Sequence, residues 1–419
     1  MDYTEMLFTN EKKNVPIDSI GTPTVPSTVT HETPLSDFNL NWTEKELPQK
    51  VRTRHVHGLH PYLGKYIPQL VEIFLRKYFS KDQCIIDPFC GSGTTLVQAN
   101  ELGIASIGCD ISAFNVLLSK VKTERYDLEL VTDEVTDILE QTRQTLQRLQ
   151  INTAKQLSLW DSDNYTQKSG ISTTNPYLLK WYAPQSLQEL LTYHQLIKIG
   201  HYKYPDVLKI ILSRAARSAR LTTHFDLDFP KKPQTEPYWC YKHSRTCQPI
   251  QEAFKFLKRY SMDIMSRLKT FAAVQTKANV TILHNDSRSV TLPTTIDGVM
   301  TSPPYVGLID YHEQHAYAYH LLGLKDKRKQ EIGPAIAGTS QKALKQYQQD
   351  IADVFQHIME YMPKGARLIV VAGDQHQLYE HIAKMIEVEI EQIVTRQVNR
   401  RTGRRASEFY ESVFIWGKR

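Results

Sequence analysis

Two short segments carry residues whose types and spacing could do chemistry. In Asp87-Pro88-Phe89-Cys90-Gly91-Ser92-Gly93-Thr94-Thr95 the glycines permit a turn too tight for side chains, so backbone amides can approach a ligand directly. Such a site favours a nucleotide-like molecule. A dinucleotide fingerprint would place a third glycine where Leu96 stands, and the absence of a following Gly-Lys-Ser/Thr excludes a P-loop. In Ser302-Pro303-Pro304-Tyr305 the consecutive prolines fix φ and withhold two N–H groups, which leaves an acceptor-rich corner walled by an aromatic ring. Taken alone, such a tetrapeptide could equally be a turn with a packed tyrosine.

Both segments follow predicted strands. An apolar run from Cys84 ends at Asp87, a helix is expected over 95–102 with Gly103 as its stop, and a second strand over 105–109 ends at Asp110. Strand, helix and strand in this order make a parallel βαβ unit. Upstream, Ile67 to Tyr78 has helical spacing. From about 126 to 278 the pattern is mostly helical, with segments over 128–149, 186–199, 205–220 and 251–271, and reads as a separate module or large insertion. Strands resume at 280–283, 298–300 and 367–372, with helices near 350–362 and 376–386. Two final β segments, 391–396 and 412–416, flank an arginine-rich turn. The divisions expected are an extended or mobile segment 1–50, a first half 51–125, the helical block 126–278 and a second half 279–419.

The chain has 419 residues, 41% hydrophobic and 23% charged, which excludes wholesale disorder and disulfide scaffolds. No apolar run is long enough to span a membrane, and five scattered cysteines suit a reducing compartment, so a cytoplasmic protein is expected. The net charge of +6 is modest but uneven. Arg214, Arg217 and Arg220 recur at three-residue steps, and Lys231, Lys232, Lys242 and Arg245 interleave with Tyr238, Trp239 and Tyr241. Arg400, Arg401, Arg404 and Arg405 cluster in the last turn. Each group is a candidate phosphate-contacting surface, with a solvated face as the plain alternative. Cys240, Cys247, His224 and His243 show neither a Cys-x2-Cys nor a His-x3-His pair, so linear spacing gives no metal site.

The loop Phe89-x-Gly91-x-Gly93 resembles the S-adenosylmethionine-binding loop of class I methyltransferases. Together with Ser302-Pro303-Pro304-Tyr305 it resembles the amino-methyltransferases that modify cytosine N4 or adenine N6 in DNA. The resemblance covers about 57–115 and 280–419. It implies a Rossmann-like, mostly parallel α/β sheet with a terminal antiparallel hairpin, S-adenosylmethionine as cofactor and double-stranded DNA as partner. A cognate restriction or defence protein is a companion such enzymes can have.

By this resemblance Asp110, seventeen residues past Gly93, accepts the ribose hydroxyls, while Asp87, Pro88, Phe89, Gly91, Gly93 and Thr94 form the cofactor loop. Lys65, in the segment His57 to Tyr66, pairs with the methionine carboxylate, and Asp286 lies near the adenine amine. Ser302, Pro303, Pro304 and Tyr305 form the target corner. The serine form leans toward cytosine N4, with adenine N6 or a structured RNA as alternatives, and a cofactor-dead DNA-binding subunit as a third class. An exocyclic amine is poorly nucleophilic, so the Ser302 hydroxyl and the Pro303 carbonyl would accept its N–H bonds, and Tyr305 would stack on a base rotated out of the duplex. The residues 310–338 are expected to form a loop beside that base. The helical block, the candidate DNA-recognition region, falls between the second strand and Asp286: with Asp286 at the adenine the insertion is unusual for the family, and without it the layout is the familiar one with recognition between the halves.

Overall fold

Neighbouring residues of the central strands point to opposite faces, and both faces are buried. Ile85, Met300, Ile369 and Val371 pack on one side with the helix Pro68–Tyr78, whereas Ile86, Val299, Leu368 and Val370 pack on the other with the helix Gln341–Met359. The computed structural model describes residues 21–157, 171–224, 226–398 and 409–419. The strands are β1 (Cys84–Asp87), β2 (Ala105–Asp110), β3 (Tyr238–Cys240), β4 (Arg245–Cys247), β5 (Val280–His284), β6 (Gly298–Thr301), β7 (Arg367–Ala372), β8 (Glu389–Val398) and β9 (Phe409–Gly417). Seven form one sheet in the order β5-β2-β1-β6-β7-β9-β8. β5, β2, β1, β6 and β7 run parallel, and β9 joins β7 and β8 antiparallel. This is the expected α/β fold with its terminal hairpin.

The helical block enters between β2 and β5. It does not stand apart: Leu190, Leu208 and Ile211 share one apolar cluster with Val97, Phe114 and Leu118 of the helices that follow β1 and β2. Because β5 pairs with β2, residues 285–287 come to the same sheet edge as Asp110. The described part of the N-terminal segment is largely extended, broken by short turns, and places Val29 and Leu40 beneath the helix Pro68–Tyr78. Among the described residues no helix is long and apolar enough to cross a membrane.

Several elements differ from expectation. The helix Ala113–Thr123 has no counterpart in the sequence reading, although Ser112 caps it by accepting from the Asn115 amide. Residues 311–322, expected as loop, form the helices Tyr311–Gln314 and Ala316–Leu322. The first is capped by Asp310 and the second is ended by left-handed Gly323. Helical periodicity is hard to see in pieces of four and seven residues.

Candidate active site

A cleft of about 850 Å³, part of it open to solvent, lies at the carboxyl edge of the sheet. Open α/β sheets bind ligands there, where the strand order reverses. It is lined by the loop after β1, the end of β2, the loop after β5, the corner after β6 with Ile309 and Tyr311 beyond it, the segment Gln330–Ile332, and the strap Tyr62–Tyr66. Gly91 and Gly93 adopt φ of +49° and +76°, and Gly93 caps the helix Thr94–Leu102. A Cβ on Gly91 would lie 3.0 Å from the Tyr62 hydroxyl, so the strap and the loop leave room for backbone alone.

The two aspartates that end β1 and β2 differ in use. Asp87 is 1% exposed and does not line the cleft, which corrects its expected role as a cofactor contact. Its carboxylate accepts from the Thr95 and Thr301 hydroxyls, both at 2.6 Å, and from the Phe89 amide at 3.1 Å, so it ties β1, the following helix and β6 together. Asp110 lines the cleft and accepts from the Gly91 and Ser112 amides, both at 2.8 Å, and from the Asn115 side chain. Burial raises both acids to about 6, against the hydrogen bonds that lower them.

Lys65 lines the cleft with its ammonium 2.6 Å from the His57 carbonyl and, among the described residues, in no ion pair. Burial, then the charge of Arg267, lower its pKa to about 8. The helical block fixes this strap: Arg267 donates to the Thr53 and His55 carbonyls, Arg214 donates to the Leu59 carbonyl, and His60 meets Ser213 at 3.2 Å. Lys122, fully buried, holds the Ser92 carbonyl at 2.6 Å, and its pKa is lowered by burial first.

At the second motif, Ser302 and Pro304 line the cleft, while Pro303 and Tyr305 do not. The Pro304 carbonyl accepts from the Tyr347 hydroxyl at 2.8 Å. Tyr305 donates its hydroxyl to Glu411 at 2.9 Å, and Glu411 is held in turn by buried Arg396. Pro88, Phe89, Thr94 and Asp286 also line the cleft. Both oxygens of Asp286 are engaged by Arg288, which lowers its pKa against the opposing effect of burial. Sequence reasoning assigned no role to Ser112, Asn115, Ser287 or Glu331, which also line the cleft. Only Ser112 and Asn115, close after the acid that ends β2, carried a local signal.

The expected basic row is overturned. Arg214 is paired with Asp263 and lies over the Tyr260 ring, and Arg217 is paired with Asp228. Arg220 is 2% exposed, stacks 4.7 Å above the centroid of Tyr317 and donates to the Leu227 carbonyl. Three-residue steps drift around a helix, and this row drifts into the protein. By contrast Lys231, Lys232, Lys242 and Arg245 are exposed. Arg400, Arg401, Arg404 and Arg405 lie outside the described residues.

A mostly parallel sheet with a glycine loop after β1, an acid ending β2 and a Ser-Pro-Pro-Tyr corner after β6 around one cleft defines a class I S-adenosylmethionine-dependent methyltransferase. A family profile described as DNA methylase matches residues 5–121, and one described as an RMKL-like methyltransferase domain matches 76–215. Type II methyltransferase M.MjaII of Methanocaldococcus jannaschii is 37% identical over 444 residues, spanning 90% of this chain and 83% of that protein. Type II methyltransferase M.BsoBI of Geobacillus stearothermophilus is 25% identical, over 68% of this chain and 56% of that protein. The solved TrmN of Thermus thermophilus aligns with 85% of this chain and 50% of its own at 10% identity, with a TM-score of 0.32. The chain belongs to the S-adenosylmethionine-dependent DNA amino-methyltransferases.

Proposed function

We propose that this chain methylates cytosine N4 in double-stranded DNA, on a base rotated out of the helix. One observation carries the reading: Ser302 and Pro304 line the same cleft as Gly91 and Asp110, so the corner and the glycine loop address one space. The serine at the head of the corner favours cytosine over adenine.

Asp110 would hold the ribose, Lys65 the methionine carboxylate and the neighbourhood of Asp286 the adenine, with Gly91 admitting the close backbone approach. S-adenosylmethionine, when bound, supplies a methyl group on a cationic sulfur. The Ser302 hydroxyl, in the cleft lining, would accept a hydrogen bond from the amine, with the carbonyl of buried Pro303 as the second acceptor, which turns the lone pair out of the ring plane. The methylated cation is acidic and loses its proton without a strong base. Tyr305 lies outside the lining of the cofactor cleft, and its hydroxyl, anchored on Glu411, gives it a ring of fixed orientation on which the base would stack. Lys231, Lys232, Lys242 and Arg245 provide exposed charge for phosphates.

The test is nucleoside mass spectrometry on DNA from cells expressing the chain. N4-methylcytosine is expected; N6-methyladenine in its place would refute the cytosine assignment. Faster turnover on folded RNA than on duplex DNA, measured with purified protein, would refute DNA as the substrate.

A further inference from the structure

Away from the cleft, His224, Cys240, His243 and Cys247 bring their ligand atoms within 4.8 Å of one another. The Cys240 sulfur lies 3.4 Å from His224 Nδ1 and 3.7 Å from His243 Nδ1, and the Cys247 sulfur lies 3.5 Å from His243 Nδ1. A tetrahedral ion with zinc-to-sulfur and zinc-to-nitrogen bonds of about 2.3 and 2.05 Å has a sulfur-to-nitrogen edge of about 3.5–3.6 Å. The three separations bracket that edge.

The surroundings call for such an ion. β3 and β4 pair over three residues each and form a sheet of their own, a size that is marginal in water without a staple. Cys240 is 0% and Cys247 7% exposed, yet neither belongs to an apolar cluster, and what faces their sulfurs is imidazole. The turn between the strands reaches a φ of +49° at Ser244, which brings His243 back over both cysteines.

The geometry points to a structural zinc site made by His224, Cys240, His243 and Cys247. Two thiolates with two imidazoles suit zinc, and four protein ligands close the shell against catalysis. Linear spacing concealed the site because the fourth ligand comes from a loop sixteen residues before Cys240. The Tyr238 hydroxyl, 2.8 Å from His224 Nδ1, must release that nitrogen when the ion takes its lone pair. Two thiolates neutralise the divalent ion, so Lys242 and Arg245 keep their positive field. The ion fixes the hairpin that carries exposed Trp239 and Tyr241.

The test uses the full-length protein under reducing conditions. Elemental analysis should find zinc in equal proportion to chain. Replacement by cobalt(II) should give the visible bands of a tetrahedral ion together with sulfur-to-cobalt charge transfer. Cys240→Ser and Cys247→Ser should each weaken zinc binding by roughly a hundredfold or more, while Cys84→Ser leaves it unchanged. An octahedral cobalt spectrum, or wild-type protein that binds zinc no tighter than the Cys240→Ser, Cys247→Ser double variant, would overturn the assignment. The cobalt spectrum is read on wild-type protein and stands even where a serine variant fails to fold.

Discussion

The sheet edge and the helical block handle charge in opposite ways. At the edge, Asp110 and Lys65 line an open cleft, the lysine without a carboxylate partner among the described residues. In the block, Arg214 and Arg217 are paired with Asp263 and Asp228, and Arg220 is buried on Tyr317. The edge keeps charge available for a ligand. The block keeps it in internal pairs, and Arg214 also holds the Leu59 carbonyl just before the strap that carries Tyr62 and Lys65. Charged residues at regular spacing therefore say little about a partner until the elements packed against them are known.

The largest effect that would sharpen this contrast is Gly91→Val. A branched side chain at φ +49°, already 3.0 Å from the Tyr62 hydroxyl at its Cβ, should abolish cofactor binding in calorimetry. Retained binding would remove the loop from the site. Next, Ser302→Ala should lower turnover by about a hundredfold with cofactor affinity nearly unchanged, because it deletes the proposed acceptor for the target amine together with a hydrogen bond to Tyr305. Equal losses in both quantities would break the division between loop and corner.

The pH dependence of cofactor affinity follows from two groups at the edge. Lys65 is charged below about 8 and Asp110 is ionised above about 6, so affinity should be level between these values. Above the plateau the ammonium is lost, and below it the acceptor carboxylate is protonated, each by about tenfold per pH unit. Lys65→Gln should remove the alkaline limb alone, and an unchanged limb would contradict its role.

In the block, Arg220→Ala should destabilise the fold by about 2–4 kcal/mol in denaturant titration, since it leaves the Leu227 carbonyl and the Tyr317 ring without their buried partner. Lys242→Ala with Arg245→Ala should leave stability within about 0.5 kcal/mol. The same pair should reduce the salt slope of DNA binding by about two. Reversal of these two outcomes would mean that the inward and outward cations have been confused.

The parts legible in sequence were those dictated locally. The loop 87–95 and the corner 302–305 follow strands directly, and glycine and proline restrict the backbone whatever surrounds them. Their meeting in one cleft was implied by the order of strands. Asp87 misled because position at a strand end does not tell whether a carboxylate faces the ligand or, as here, four protein donors. The row 214–220 misled because its partners lie off the helix, Asp228 in the loop eleven residues past Arg217 and Asp263 and Tyr317 much farther along the chain. Lys122 was illegible for the same reason, since only the fold reveals the Ser92 carbonyl beside it.

The most direct measurement is a crystal structure with S-adenosylhomocysteine, the demethylated cofactor, bound. Its ribose should lie on Asp110, its carboxylate at Lys65 and its sulfur turned toward Ser302. A molecule seated elsewhere, or one whose sulfur faces away from Ser302, would contradict the shared cleft on which the proposed chemistry depends.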